Sequence, residues 1–281
     1  MLHQSITAAV SASALMVEGA NVSAGKVPIV RDLSFRAEAG RMLAIIGPSG
    51  SGKTTLMRAM TGEAAYSGSV LLAGQEVAGL GPEALASLRG VLPQASQISF
   101  PLNVSEVVGL GLTGERRGRR QRHQRIAEAL LRVGLAGFES RVYQDLSGGE
   151  QQRVQLARVL CQVWEPLPLG GSPRWLFLDE PVSSLDIRHQ VQIMRLAQDY
   201  ARRGGGVVAV MHDLNLTTAF ADEVLVMRGG NRLAFGQRDA VMTAELLSEA
   251  YDFPLEILER EGARSVIVPA GGGTGTPWLL N

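Results

Sequence analysis

The residues Gly47-Pro48-Ser49-Gly50-Ser51-Gly52-Lys53-Thr54-Thr55 fit the pattern G-x-x-x-x-G-K-[ST] with no mismatch. Glycines at these positions let the backbone fold around an anion, so that several N–H groups converge on it. Lys53 can then reach the β- and γ-phosphates of a nucleotide, and the Thr54 hydroxyl can ligate Mg²⁺. The flanks supply the context that such a loop needs. Met42–Ile46 is a short apolar run with the character of a buried parallel strand. Residues 55–60 read as the first turns of a helix, whose N-terminus adds a positive dipole end. Residues 47–55 are the candidate ATP-binding segment.

Four further groups carry the residue types that a bound nucleoside triphosphate needs. Asp179 and Glu180 end the apolar run Trp175-Leu176-Phe177-Leu178, and ligands of open α/β sheets lie beyond the carboxyl ends of strands. Asp179 suits a contact to Mg²⁺ through water. Glu180 suits the base or orienter of an attacking water. His212 follows the apolar run 207–211, and a histidine there can contact a γ-phosphate. Gln94 ends a short strand, where its neutral amide can touch both metal and water. Asp186, just past the acid pair, can brace a partner subunit. Ser147-Gly148-Gly149-Glu150 forms a second anion cradle at a helix N-terminus. One ATP does not need two cradles from one subunit, so this one either closes on the nucleotide of another copy or is a plain helix cap.

The elements that must position these residues alternate along the chain. Strands are expected over 15–22, 29–37, 42–46, 69–73, 91–94, 175–178, 207–211 and 223–227. Helices are expected over 55–60, 82–89, 119–133, 146–163, 189–203, 214–221 and 243–251, with one more opened by Asn103 or Ser105 as cap. This alternation implies a mostly parallel sheet covered on both faces, with an antiparallel part near the N-terminus. The segment from about 100 to 163 reads as an inserted helical subdomain within one domain over 14–270. Residues 1–13 read as a flexible leader and 271–281 as a loose tail. The arginine-rich run 115–125 reads as a solvated helix face, with contact to anionic lipid headgroups as the alternative.

Composition narrows the class. The 281 residues carry 27 basic and 27 acidic side chains. Zero net charge argues against nucleic acid as a partner. One cysteine, Cys161, rules out a disulfide framework or a cysteine-built metal site within the chain. No apolar run of about 18 residues is present to span a bilayer.

Together these motifs resemble the ATP-binding cassette (ABC) ATPases over almost the whole length. The resemblance makes Gly47 to Thr54 the P-loop, Gln94 the Q-loop glutamine, and Leu146 to Glu150 with Gln151-Gln152-Arg153 the signature. It makes 175–180 the Walker B strand, Ser184-Leu185-Asp186 the D-loop and His212 the switch histidine. It implies a P-loop α/β core working as a head-to-tail homodimer, with two ATPs and Mg²⁺ between copies. A narrower resemblance is to the ATPases of bacterial haem importers. It rests on Ser99-Phe100-Pro101-Leu102-Asn103-Val104-Ser105-Glu106-Val107, on Gln155-Leu156-Ala157-Arg158-Val159-Leu160, and on the proline-rich loop before Trp175. It implies two membrane permease subunits, a periplasmic haem-binding protein as an indirect partner, and a peripheral place on the cytoplasmic face of the inner membrane. Siderophore and cobalamin importers share the same architecture, so they stand as the alternative. A soluble ABC ATPase of DNA repair or translation is the rival of another class. The chain departs from many members in one place: Val22-Ser23-Ala24-Gly25 stands where they put an adenine-stacking aromatic. The histidines His3, His123, His189 and His212 fall in no pattern that would hold a macrocycle, so the isolated subunit is expected to have no specific haem site.

Overall fold

The structure is a computed structural model that describes residues 13–94, 98–112, 118–260 and 263–271. The expected leader and tail lie outside these residues, apart from Ser13 and Gly271. The strands are β1 (Ala14–Ala24), β2 (Val27–Glu38), β3 (Met42–Ile46), β4 (Ser67–Leu72), β5 (Gln75–Glu76), β6 (Arg89–Leu92), β7 (Trp175–Asp179), β8 (Gly206–Val210), β9 (Glu223–Arg228), β10 (Asn231–Gln237), β11 (Leu255–Arg260) and β12 (Ala263–Pro269). The helices are α1 (Lys53–Met60), α2 (Pro82–Leu88), α3 (Val104–Gly109), α4 (Arg119–Arg132), α5 (Gly148–Gln162), α6 (Ile187–Arg202), α7 (Leu214–Phe220), α8 (Arg238–Val241) and α9 (Ala244–Tyr251).

Strands β10-β9-β3-β8-β7-β6 form the main sheet in that order. Neighbours from β9 to β6 are parallel, and only β10 is antiparallel. A second sheet, β2-β1-β4-β5, is antiparallel throughout. The central strands are buried on both faces because their residues are apolar at every position, and each strand deals them alternately to two cores. Leu43, Ile45, Trp175, Phe177, Val208 and Val210 join α1 and the antiparallel sheet in one cluster. Met42, Ala44, Ile46, Leu176, Leu178, Val207 and Ala209 face a second cluster, built with α3, α4, α5 and α6. The helical stretch therefore shares its core with one face of the main sheet.

Most expected elements form, with shifted ends. Helix α5 starts at Gly148 because Ser147 caps it, and α6 starts at Ile187 because Asp186 caps it. The strand expected over 69–73 stops at Leu72, since Ala73 turns with φ 51°. Strands β10, β11 and β12 were not anticipated. Each is short and mixes polar and apolar residues without clean alternation, although Gly229-Gly230 between β9 and β10 is a turn signal. The arginine run is only partly a solvated face. The Arg122 guanidinium donates to the Leu112 and Gly109 carbonyls at 2.9 and 3.3 Å. Arg125 and Arg132 both lie over the Trp164 ring, at 4.1 and 4.0 Å from its centroid. Residues 115–117 lie outside the described residues.

Gly206 pairs with Trp175 across β7 and β8. A Cβ at Gly206 would come within 2.3 Å of the indole ring. Trp175 is fully buried and cannot swing away. Gly206→Ala is therefore expected to destabilise the fold by about 1–3 kcal/mol through overpacking. Gly79→Ala, with open space around it and no positive φ, is expected to be neutral. Denaturant midpoints for both variants check this.

Candidate functional site

Strand β3 delivers the glycine-rich loop from the middle of the main sheet, and α1 carries the chain away. Gly47, Gly50 and Gly52 have φ of 145°, 78° and 97°, which a residue with Cβ adopts only under strain. Gly47 is doubly constrained, because a Cβ there would stand 2.1 Å from the Met227 carbonyl oxygen. The loop is further held by the β9–β10 turn, where the Gly230 N–H donates to the Ser51 carbonyl at 3.2 Å. Pro48 is half-buried, while Ser49 and Gly50 are exposed at the rim.

Lys53 is buried, and its Nζ donates to the Gly47 and Pro48 carbonyls at 2.8 and 2.9 Å. Burial pulls its pKa down, and the nearby Glu180 and Asp179 carboxylates oppose that shift. Thr54 Oγ1 donates to Asp179 Oδ1 at 3.2 Å. Burial pushes the Asp179 carboxyl above its ordinary value, while the Thr54 hydrogen bond pulls the other way. The Ser51 hydroxyl is buried inside the loop without a hydrogen-bond partner among the described residues. Thr55 is half-buried in the first turn of α1.

Glu180 follows β7 directly. Its φ is 51°, a left-handed conformation uncommon outside glycine and concentrated at functional sites. Its backbone is pinned on both sides. The Glu180 N–H donates to the Val210 carbonyl at 3.2 Å, and the Gln152 side-chain amide donates to the Glu180 carbonyl at 3.0 Å. Its carboxylate meets His212 Nε2 at 2.6 Å. The carboxyl ends of β3, β7 and β8 thus bring Lys53, Thr54, Asp179, Glu180 and His212 together.

The other expected residues sit on a second surface. Ser147 caps α5, and its Oγ and N–H both donate to Glu150 Oε2 at 2.7 and 2.8 Å. These bonds hold the Glu150 carboxyl below its ordinary value. Gly149 lies so close to the D-loop that a Cβ would be 2.9 Å from the Ser184 carbonyl oxygen. Asp186 accepts from the His189 N–H at 2.9 Å and meets His189 Nδ1 at 2.9 Å. Within the chain it is therefore the cap of α6, a role the sequence reading did not give it. Gln94 lines a small cavity of about 170 Å³ with Gly148, Gln152 and Ser184. So it stands by the second cradle.

Two contacts of the site were missed. Gln152 reaches Glu180 from α5. Tyr251, at the end of α9, takes the Gly47 N–H on its hydroxyl at 3.2 Å. No sequence signal marks Tyr251, which is 204 residues from its partner.

A glycine cradle at a helix N-terminus, a buried lysine and a Thr–Asp pair beyond a parallel sheet define a P-loop nucleotide-binding site. Residues 30–183 match the family model for the ABC transporter. The hemin import ATP-binding protein HmuV of Jannaschia sp. (strain CCS1) is 56% identical over 243 residues, covering 86% of this chain and 89% of that protein. HmuV of Rhizobium johnstonii is 52% identical over 265 residues, covering 94% and 96%. The solved structure of cbiO1 from Clostridium perfringens, part of the ABC transporter complex cbiONQ, superposes with a TM-score of 0.69. It is 24% identical and covers 84% of this chain and 92% of its own. The chain belongs to the ABC transporter family, as one of its ATPases.

Tyr251→Phe leaves the buried Gly47 N–H unpaired, which costs about 1–3 kcal/mol. The variant is expected to unfold at lower denaturant concentration and to show a several-fold higher KM for ATP, with kcat less affected. Chemical denaturation and steady-state ATPase kinetics measure the two effects.

Proposed function

We propose that this chain is the ATP-hydrolysing subunit of a haem importer. The observation that carries hydrolysis is the meeting of Glu180 and His212 beside Lys53 and the Thr54–Asp179 pair. Haem as the cargo rests on the import proteins that are 56% and 52% identical over most of the chain.

The loop N–H groups and Lys53 bind the triphosphate. Lys53 is already held as a buried cation, so it exchanges the Gly47 and Pro48 carbonyls for phosphate oxygens. The residues present fit Mg²⁺: hydroxyl and carboxylate oxygens are the donors this hard cation takes, and the Asp179 carboxylate, buried beside Thr54, gains from a positive neighbour. When bound, the ion would supply positive charge that offsets the charge of the triphosphate. Thr54, Asp179 and Gln94 would hold it. Glu180 orients the attacking water and takes its proton as the oxygen bonds to the γ-phosphorus and the bond to the bridging oxygen breaks. His212 fixes the Glu180 carboxylate in place.

The Ser147-Gly148-Gly149 cradle serves the ATP of a second copy, with Asp186 bracing the contact, so the working unit is a head-to-tail homodimer. For that, Ser147 must turn its hydroxyl from Glu150 to phosphate. Dimer closure drives two permease subunits through the 94–106 segment, where Phe100 is 73% exposed. The subunit sits peripherally on the cytoplasmic face of the bacterial inner membrane, and a periplasmic haem-binding protein acts only through the permease. The chain is one domain over 14–270, with 100–163 as its helical part.

Glu180→Gln is expected to cut turnover at least about 100-fold, while ATP binding persists and a closed dimer accumulates. Nucleotide titration and sedimentation in ATP test this; turnover at the parent rate refutes the role. In proteoliposomes carrying the permease, a haem-loaded binding protein is expected to stimulate hydrolysis, and cobalamin or a ferric siderophore is not. Transport of either alternative without haem would remove the cargo assignment and leave the ATPase assignment standing.

A further inference from the structure

A wide groove among the described residues lies away from the nucleotide site. It has a volume of about 910 Å³ and runs the whole length of α6, with Arg132 from α4 and Leu160 from α5 on its far wall. Three exposed arginines of α6, Arg188, Arg195 and Arg202, line it at intervals of seven residues. Seven residues are two helical turns, so the three guanidinium groups stand in one row spanning about 21 Å. Val191 lies in the same row and Ile187, at its start, is 79% exposed. Asp199 is the one carboxylate in the lining, and it is 3.6 Å from Arg202. Arg132 is paired with Glu128. Arg188 and Arg195 have no ion-pair partner among the described residues. The chain as a whole has zero net charge, so this groove concentrates positive charge that is balanced elsewhere.

We infer that the groove docks an acidic amphipathic helix of a partner protein, laid along α6 with carboxylates at heptad spacing and apolar residues between them. The spacing selects this occupant. A compact polyanion needs arginines that converge; Arg203 joins Arg202 at one end of the groove, but Arg188 and Arg195 are strung along the rest of about 21 Å and cannot meet on the same group. A helix repeats its side chains every two turns, so Glu or Asp residues seven apart would face Arg188, Arg195 and Arg202 in turn. Its apolar side chains would cover Ile187, which is otherwise left to water, and the half-buried Val191. An apolar groove with a charged border is the form in which amphipathic helices are bound.

The probe is a fluorescein-labelled peptide of 21 residues, built from Ala, Leu and Gln with Glu at three positions seven apart. The control has the same composition with its glutamates five apart. Binding to the full chain is read by anisotropy at low and moderate salt. The heptad peptide is expected to bind at least tenfold tighter than the control and to weaken as salt rises. Arg188→Glu with Arg195→Glu is expected to lower its affinity at least tenfold, and Ile187→Asp several-fold. Basal ATPase activity should be unchanged in both, which also confirms that they fold. Equal binding of the two peptides, or undiminished binding by the double charge reversal, overturns the proposal. So does a groove that takes only anionic vesicles, inorganic polyphosphate or a second copy of this chain.

Discussion

The buried Lys53 ammonium is the constraint around which the rest of the structure is arranged. A cation out of water is expensive unless its charge is answered nearby. Here two loop carbonyls accept its hydrogen bonds, and two carboxylates stand close enough to favour the charged form. The carboxylates can stand there only because β7 lies beside β8, which lies beside β3, in parallel. Parallel order brings all three carboxyl ends to one edge. Asp179 carries the complementary burden. Burial disfavours its charge, and Thr54 and Lys53 offset that cost. Each buried charge is therefore tolerated because of the other, and a ligand bearing phosphate and a divalent cation can enter without leaving either unpaired.

Backbone strain marks the same place. Glu180 is one of four non-glycine residues with positive φ among those described. It is held by hydrogen bonds from different elements, β8 and α5. The conformation turns the side chain out of the strand direction toward His212. A relaxed strand end would carry residue 180 along the sheet, away from the loop. The link through Gln152 also ties Glu180 to the helix that Ser147 caps, so the two candidate surfaces are mechanically joined within one chain.

What the sequence made legible follows from which forces are local. The strand, loop and helix around residues 47–60 were readable because glycine, lysine and apolar runs each answer to a local requirement. Central strands were readable as unbroken apolar runs. Strands β10 to β12 were not, because they lie at the margins and are only half-buried, so no pattern is imposed on them. The left-handed turn at Glu180 was invisible, since glutamate has no preference for it and tertiary contacts impose it. Tyr251 was invisible because a hydroxyl finding an N–H across most of the chain leaves no trace in spacing. The arginine run was misread in part, since stacking on Trp164 depends on where α5 ends relative to α4.

Ser147 shows why one surface had two readings that were both sound. A serine followed three residues later by glutamate is a capping box, and the structure contains that box. The cap leaves Gly148 and Gly149 with free N–H groups at the start of a helix, which is also what an anion site needs. Glu150 accepts the Ser147 hydroxyl and N–H, and these bonds hold its carboxyl below its ordinary value. A negative group beside the cradle repels phosphate unless the serine and glutamate separate first. In the proposed dimer, the cap would work against premature engagement, and the second cradle would become competent only when something else brings the two surfaces together. Within the proposed dimer, closure rather than nucleotide affinity alone sets when the site is complete. That is the order of events a transporter requires if hydrolysis is to follow the movement of its permease.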